Sequence, residues 1–550
     1  MRREISQAER SDADIEGTMK NIVFLFAGEI SSCAFEPFSG TVSAFDRSVT
    51  FAHALPDVSR IVLLSGHRSH AGAILPELPP IPPEIHHIHE EMWTVSSFCS
   101  TLAEQTEGYD NVFFFFADQP LLDISATERL LKQHLRYAAE YTFADGYPSG
   151  LFADILSAGS APFLKKLSQD DTSRVERTVI FDTIKKEINS FDIETDVSPV
   201  DHRQLRLIFA ADSLRNLRLC KSFSDLNVEN CSALISARRK ELYTLPAFYN
   251  IQISGRCPYE CVYCPYPAMC SNGAGLSPGI RATERNDFMD VSLFLSIVDN
   301  IAAYSHEAVI GLSLFGEPSY HPRIVDLVAG VLKYPGLSVL IETTGIGWNA
   351  ETIASIHRIA ASAHNRTNGQ EPIHWIVSLD ATTAESWTRL HGCMDRDLPG
   401  RCIALFNEAV NFVHTIAPLF PRAVWSQMLR LKDNEEELEP FYRYWKEATG
   451  SVIIQKHDHF CKTIEDRRVA DLSPLERNPC WHLKRDMCIM LDGTVPLCRE
   501  DVYASMAYGN VFTDTFEYIR SRMCAVYEGH CEGRYEGMCA DCDEYYTFNF

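Results

Sequence analysis

The sequence predicts an α/β protein of three parts: an open α/β domain, a partial (β/α)6 barrel and a small cysteine-rich domain. Three observations lead there. The chain has 550 residues, several times an ordinary domain of roughly 100–200, with 46% apolar and 23% charged residues, the balance of a globular protein. Apolar runs alternate with amphipathic segments in two successive stretches, the pattern of parallel strands joined by crossover helices. The 18 cysteines are uneven: only Cys33, Cys99, Cys220 and Cys231 precede residue 250, and dense groups follow at 257–270 and 480–542.

Charge and hydropathy exclude several classes of function. A net charge of −24 argues against a nucleic-acid footprint and against an anionic membrane surface. No stretch approaches the roughly 18 unbroken apolar residues of a membrane helix. The first twenty residues, MRREISQAERSDADIEGTMK, lack the apolar core of a signal peptide, and Met19 is an alternative start. The expectation is a cytoplasmic protein, where thiols stay reduced and clustered cysteines bind metal or do redox chemistry.

In the first part, taken as 20–212, NIVFLFAG, RIVLLSG and NVFFFFADQP read as buried parallel strands. SATERLLKQHLRYAAEY reads as an amphipathic helix with a serine cap. Residues 213–245 read as a helical connector. In the barrel, 246–470, the strands are FYNIQIS, AVIGLSLFG, SVLIETTG, WIVSLDA, AVWSQMLRL and VIIQKHD. Between them lie the helical patterns VSLFLSIVDNIAAY, RIVDLVAGVLKY, ETIASIHRIAAS, IALFNEAVNFVHT and EEELEPFYRYWKEA. Right-handed crossovers place its active site at the carboxyl ends of these strands. A polar linker, EDRRVADLSPLERN, leads into the cysteine-rich tail, 471–550, with short strands and one helix.

The loop after the first barrel strand reads SGRCPYECVYCPYPAMC, placing Cys257, Cys261 and Cys264 in C-x3-C-x2-C spacing. Three thiolates at this spacing hold three corners of a [4Fe–4S] cubane and leave one iron for another ligand. Either Cys270 fills that position or it stays open for a substrate or cofactor. A structural zinc is the bland alternative, although it usually takes two C-x2-4-C pairs.

With Tyr263 as the aromatic residue, this motif resembles that of the radical S-adenosylmethionine (SAM) superfamily. Phe315-Gly316-Glu317-Pro318 resembles the motif that holds the methionine amino group, with Phe315 in place of its first glycine. Glu342-Thr343-Thr344-Gly345, Ser378-Leu379-Asp380 and Arg389 follow in family order. The resemblance implies SAM contacts from Tyr263, Gly316, Glu317, Thr343, Ser378, Asp380 and Arg389, and a first [4Fe–4S] cluster on Cys257, Cys261 and Cys264. It also implies the chemistry: one electron cleaves SAM to a 5′-deoxyadenosyl radical, which abstracts hydrogen from a substrate. No Ser–His–Asp arrangement is found, and His391 and the Tyr545–Tyr546 pair read as structural.

The tail resembles the SPASM extension of such enzymes through an initial cysteine, a DG-x-V-x-x-C hairpin, a G-N before a helix, and a final C-x2-C. The resemblance implies Cys480, Cys498, Cys539 and Cys542 as ligands of an auxiliary [4Fe–4S] cluster. Asp492-Gly493 is a turn that presents Cys498 on the returning strand. Cys488, in CIML, reads as a buried small residue, Cys524 and Cys531 as spare thiols or ligands of a second auxiliary cluster, and zinc is the alternative metal.

NVFFFFADQPLLD and the residues to ILS157 resemble the nucleotidyltransferase-like domains of the cytidylyltransferase group, implying a metal role for Asp118 and an acidic position at Asp154. Two features read as degeneration. The loop AGEISSCAFEPFSG is acidic at Glu29 with no lysine or arginine, and the second metal position is Ala210. The whole order resembles spirochaete radical SAM/SPASM proteins with an amino-terminal nucleotidyltransferase-like region.

The leading expectation is a radical SAM oxidoreductase acting on a peptide or protein, reduced by a ferredoxin or flavodoxin. A second version acts on a nucleotide sugar or glycan intermediate. A third reading, of another class, is a non-catalytic iron–sulfur electron carrier or binding scaffold.

Overall fold

A computed structural model describes residues 19–70, 72–266, 287–363, 366–367, 369–392, 399–471, 473–474 and 476–545, with backbone alone at 399–401. Cys270, Tyr546 and the first eighteen residues lie outside this range. The chain divides into two compact units, Met1–Glu241 and Leu242–Phe550. The proposed connector therefore belongs mostly to the first unit, and barrel and tail form one unit.

The first unit is built on a seven-stranded mixed sheet. Its centre is β1 (Asn21–Ala27), buried along its length, as an unbroken apolar strand covered on both faces must be. Beside it run β4 (Val58–Gly66) and β6 (Asn111–Phe116), both parallel to it. A small hairpin, β2 (Pro37–Ser39) and β3 (Val42–Ser43), follows β1. Adding β5 (Ile85–Glu90), β7 (Tyr141–Asp145), β8 (Asp154–Ser157) and β9 (Ile193–Val197) gives the order β5-β4-β1-β6-β8-β7-β9.

The helix expected at 125–141 spans Ile124–Tyr137. Its cap is Asp123, not a serine: the carboxylate accepts the Ala126 N–H, and Ser125 donates its hydroxyl to that same carboxylate. A charged acceptor makes the stronger bond to the positive helix end. The helix stops where Ala138 turns left-handed, at φ 49°, and Tyr141 begins β7.

The second unit holds the six expected strands in sequence: β10 (Phe248–Ile251), β11 (Ala308–Gly311), β12 (Leu337–Thr343), β13 (Ile373–Ser378), β14 (Val424–Arg430) and β15 (Val452–Lys456). Every neighbouring pair is parallel. A seventh strand, β16 (Asp486–Ile489), comes from the tail and pairs in parallel with β10, Phe248 opposite Asp486. The sheet order is β15-β14-β13-β12-β11-β10-β16. Its core stacks Ile251, Ile310, Val339, Trp375 and Met428, each fully or nearly fully buried. Among the described residues no helix is long and apolar enough to cross a membrane.

Asp492-Gly493 does make a turn, with Gly493 at φ 85°, leading into β17 (Thr494–Val495), which pairs with β18 (Gly509–Asn510). Cys498 is not on the returning strand as expected. Pro496 has no N–H to extend the ladder, and Cys498 lies in the turn beyond it.

Candidate active site

The carboxyl ends of β10 to β15 surround a cavity of about 220 Å³. Its lining includes Cys257, Cys261 and Cys264 from the loop after β10, together with Tyr263. Gly316, Glu317, Thr343, Ser378 and Asp380, from the ends of three further strands, line the same cavity. Arg389 is not in this lining: on the helix Ala384–His391, its guanidinium donates to the Asp433 carbonyl at 3.1 Å and to Ser386 Oγ at 3.3 Å.

The segment 315–318 has a definite physical basis. Gly316 adopts φ +79°, and a Cβ there would sit 2.1 Å from the Ser254 carbonyl oxygen, so only glycine fits against the cysteine loop. The next residue, Glu317, donates its N–H to the Arg256 carbonyl at 2.7 Å. Its carboxylate is buried and accepts from Thr343 Oγ1 (2.5 Å), Thr344 Oγ1 (2.8 Å) and the N–H groups of Thr344 and Ser319. Burial still holds this carboxyl above its ordinary range. Glu317 therefore knots the ends of β11 and β12 together, with Thr343 as its partner. Phe315 stacks flat on Tyr266, their rings 5.4 Å apart and 3° from parallel.

Asp380 is a non-glycine residue at φ +59° and almost wholly buried. Its carboxylate accepts the Leu429 N–H at 2.6 Å and the Tyr263 hydroxyl at 2.8 Å, and stands 3.3 Å from His391 Nε2. The other imidazole nitrogen, Nδ1, is 3.7 Å from Cys261 Sγ. Tyr263 is thereby held by the end of β13, and its hydroxyl is pushed up by burial and by Asp380. Ser378 accepts a hydrogen bond from Gln427 at 3.2 Å.

Burial, and then the neighbouring Cys257 and Cys264, push the Cys261 thiol well above its usual range. Thiols that raise one another's cost of ionisation suit an iron cluster, whose positive charge reverses that cost. The same lining includes four polar residues, Glu342, Gln455, Asp458 and Arg499. Arg499 pairs with Asp458 at 3.1 Å and Glu500 at 2.9 Å, and immediately follows Cys498.

Four tail cysteines, Cys480, Cys498, Cys539 and Cys542, lie near one another. Cys498 is raised by burial and by Glu500, and then by Cys542, Cys480 and Cys539. Burial and then Cys542 lift Cys539 to about 11. A fifth cysteine, Cys461, has its thiol pushed up chiefly by Cys542 and by burial, which places it near this group. It lies outside every tail motif, and only its position shortly after a barrel strand marks it in the sequence. Cys488 is buried on β16 among Met490, Val502 and Ala504, while Cys524 lies beside Tyr243 on the helix Phe516–Cys531. An acidic trio, Asp458, Asp543 and Glu544, is matched by the chain's own cations: Lys456 pairs with Asp543 and Glu544, and Arg468 meets Asp543 at 2.7 Å.

In the first unit, Asp118 lies at the end of β6 but faces a guanidinium. Arg177 binds it in bidentate fashion, at 2.9 and 2.6 Å, and reaches Asp212 at 3.5 Å. The partner carboxylate is thus Asp212, two residues beyond the Ala210 that the sequence suggests; Ala210 itself is fully buried. Asp154 accepts the Tyr141 hydroxyl at 2.6 Å, and burial raises it to about 6. Glu29 bonds His70 and lies 3.8 Å from Arg174.

No family model matches the chain. An uncharacterized protein of Treponema pallidum (strain Nichols) is 44% identical over 373 residues, covering 68% of this chain and 98% of its own. A second uncharacterized protein of the same strain is 36% identical over 152 residues, 26% of this chain and 69% of its own. Among solved structures, BtrN in complex with AdoMet and 2-DOIA is 14% identical, over 55% of this chain and 92% of that one, with a TM-score of 0.33. Streptococcus suis SuiB bound to precursor peptide SuiA is 13% identical, over 68% and 82%, with a TM-score of 0.37. At these scores neither likeness establishes anything about this chain.

Proposed function

The chain belongs to one family with the 44%-identical Treponema pallidum protein, and from its site we propose that it is a radical SAM iron–sulfur oxidoreductase with one auxiliary cluster. The observation that carries this reading is the convergence of Cys257, Cys261 and Cys264 with Gly316, Glu317, Ser378 and Asp380 around one cavity at the strand ends. These residue types fit a cubane that Cys257, Cys261 and Cys264 would hold, leaving one iron without a protein ligand and open to SAM. When bound, the cluster and SAM supply a one-electron cleavage to a 5′-deoxyadenosyl radical that takes hydrogen from the substrate.

The chain's own residues have separate tasks. Glu317 fixes the backbone at 315–318 that faces the methionine end. Asp380 and His391 hold Tyr263 and Cys261 in place, and Ser378 offers a hydroxyl to SAM. Phe315 and Tyr266 cover the cysteine loop with an apolar wall that excludes water. Arg389 takes its family role against the SAM carboxylate only if its helix shifts.

In this reading Cys480, Cys498, Cys539 and Cys542 would hold the auxiliary [4Fe–4S] cluster in a SPASM-type domain, and Arg499, next to Cys498 in the chain, lines the cavity. A peptide or protein substrate in the cytoplasm, with electrons from a ferredoxin or flavodoxin, is the leading form. The polar lining residues Gln455, Asp458, Glu342 and Arg499 also support a second form, in which a nucleotide sugar or glycan intermediate enters and the first unit is a degenerate nucleotidyltransferase-like binding domain. The test is substrate-dependent 5′-deoxyadenosine formation with panels of peptides and nucleotide sugars. Stimulation by peptides alone selects the first form, and stimulation by nucleotide sugars alone selects the second. A protein that binds clusters but neither binds nor cleaves SAM is the electron-carrier scaffold instead.

A further inference from the structure

Five of the chain's 19 histidines fall between residues 67 and 89, and the proposed chemistry uses none of them. Three meet at one edge of the first unit's sheet. In the edge strand β5, His87 and His89 are two residues apart and so project from one face, while His86 leaves the other. The parallel register sets His87 opposite Leu63 and His89 opposite Ser65 on β4. His67 follows the end of β4, two residues beyond Ser65.

The rings converge. His87 Nε2 lies 2.6 Å from Ser65 Oγ, and His89 Nδ1 lies 2.9 Å from the same oxygen. The His89 ring centre stands 6.2 Å from that of His87 and 6.5 Å from that of His67. Ser65 is a fixed post between them: it is 2% exposed, and its carbonyl accepts the Trp93 indole N–H at 2.7 Å. All three histidines are exposed, so their rings turn at little cost. Imidazoles sharing one tetrahedral zinc, each at roughly 2.0–2.1 Å, have ring centres about 5 Å apart, so an inward turn of about 1 Å suffices. Burial, then His89 and His86, hold His87 below the ordinary imidazole range, which leaves it in the neutral form that ligates metal.

We propose that His67, His87 and His89 form a surface site for a divalent transition-metal ion, zinc above all, with water in the remaining position. Imidazole is a preferred ligand of such borderline ions, and a chain of net charge −24 draws cations to its surface. The ion replaces the Ser65 hydroxyl as the shared partner of the His87 and His89 rings. It also brings in His67 from the end of β4, and so clips together the two ends of the connection 67–84. A metal clip across so long a connection restrains the unfolded chain, and here it also covers an exposed sheet edge. The site is separate from the cysteines and does not depend on the radical SAM reading.

The experiment uses the full chain after anaerobic reconstitution with iron and sulfide, so that these are offered to the thiols before zinc. Loose metal is removed with a chelator, and the protein is dialysed against micromolar ZnCl2. Zinc and iron are counted for the parent, for His87→Asn with His89→Asn, for His67→Asn, and for His86→Asn as the control on the opposite face. Expected is about one zinc per parent chain above the level in the double variant. Zinc affinity should fall about tenfold or more in the double variant and in His67→Asn, and stay unchanged in His86→Asn. Iron content and the zinc-free denaturant midpoint should match the parent in every variant, since only exposed side chains change. The difference in zinc X-ray absorption between parent and double variant should show imidazole nitrogen and no sulfur. Equal zinc in parent and double variant overturns the proposal and leaves a hydrogen-bonded cluster around Ser65. Zinc unaffected by His67→Asn overturns the three-histidine form. His87→Gln with His89→Gln, which keeps polar amides beside Ser65, must lose the same zinc, and retention there also overturns the proposal.

Discussion

Two sheets in this molecule end in buried carboxylates, and they treat them in opposite ways. At the end of β6, Asp118 is met by the Arg177 guanidinium, which also reaches Asp212 and packs 4.7 Å from the Phe116 ring centre. At the ends of β11 and β13, Glu317 and Asp380 meet hydroxyls, backbone N–H groups and an imidazole, and the space before them is a cavity. The difference teaches that strand-end acids alone do not define a site. Where the chain supplies its own cation, the carboxylates are already satisfied. Where it supplies neutral donors, they fix a backbone that remains available to a ligand.

Breaking the comparison on the first side has the largest expected effect on stability. Arg177→Ala leaves Asp118 buried without its partner, a change that typically costs about 3–5 kcal/mol. It should lower the denaturant midpoint sharply. It should also create Mn²⁺ binding, detectable by electron paramagnetic resonance, that the parent chain lacks. Mn²⁺ binding by the parent that Asp118→Asn abolishes would mean that Arg177 is not a resident cation.

Protonation sharpens the same side. Burial lowers His134, hydrogen-bonded to Thr142 at 2.8 Å, to about 4. A neutral histidine in the fold and an ordinary one in the unfolded chain bind different numbers of protons between about pH 6.5 and 4. The unfolded state takes the extra proton, so this contribution is present above pH 6.5 and is lost as pH falls toward 4. The loss reaches about 3 kcal/mol at full effect. His134→Asn should flatten that limb of the stability profile, and an unchanged slope would contradict the assignment.

On the second side, Glu317→Gln replaces an acceptor oxygen with a donor facing Thr344 or Thr343. The expected cost is about 1–3 kcal/mol, with weaker SAM binding in equilibrium dialysis. Unchanged SAM affinity would show that the knot between β11 and β12 does not shape the site. The smallest effect belongs to Asp123→Ala, which removes a helix cap and a bond from the Val228 N–H at 2.9 Å. About 1 kcal/mol is expected, read as a small shift in the denaturant midpoint.

What the sequence made legible follows from the range of each interaction. Cys257, Cys261 and Cys264 lie within eight residues, so the sequence alone groups them, and six apolar runs predicted the parallel strands β10 to β15. Arg177 was not legible, because it meets Asp118 across 59 residues and no local pattern marks the pairing. Nor was the left-handed turn Phe460–Lys462 that carries Cys461. The strand Asp486–Ile489 was read as part of a separate tail, since nothing in DMCI indicates that it extends the second unit's sheet beside β10. β5 escaped notice because histidines interrupt the apolar alternation of IHHIHE at the sheet edge.

The most direct test of the central claim is made on anaerobically reconstituted full-length protein reduced with dithionite in the presence of SAM. Iron, sulfide and 5′-deoxyadenosine are measured for the parent and for Cys264→Ala. The account predicts about eight irons in the parent, for two [4Fe–4S] clusters, and deoxyadenosine formation that Cys264→Ala abolishes. Tightly bound zinc, or iron–sulfur clusters with neither SAM binding nor SAM cleavage, would contradict it.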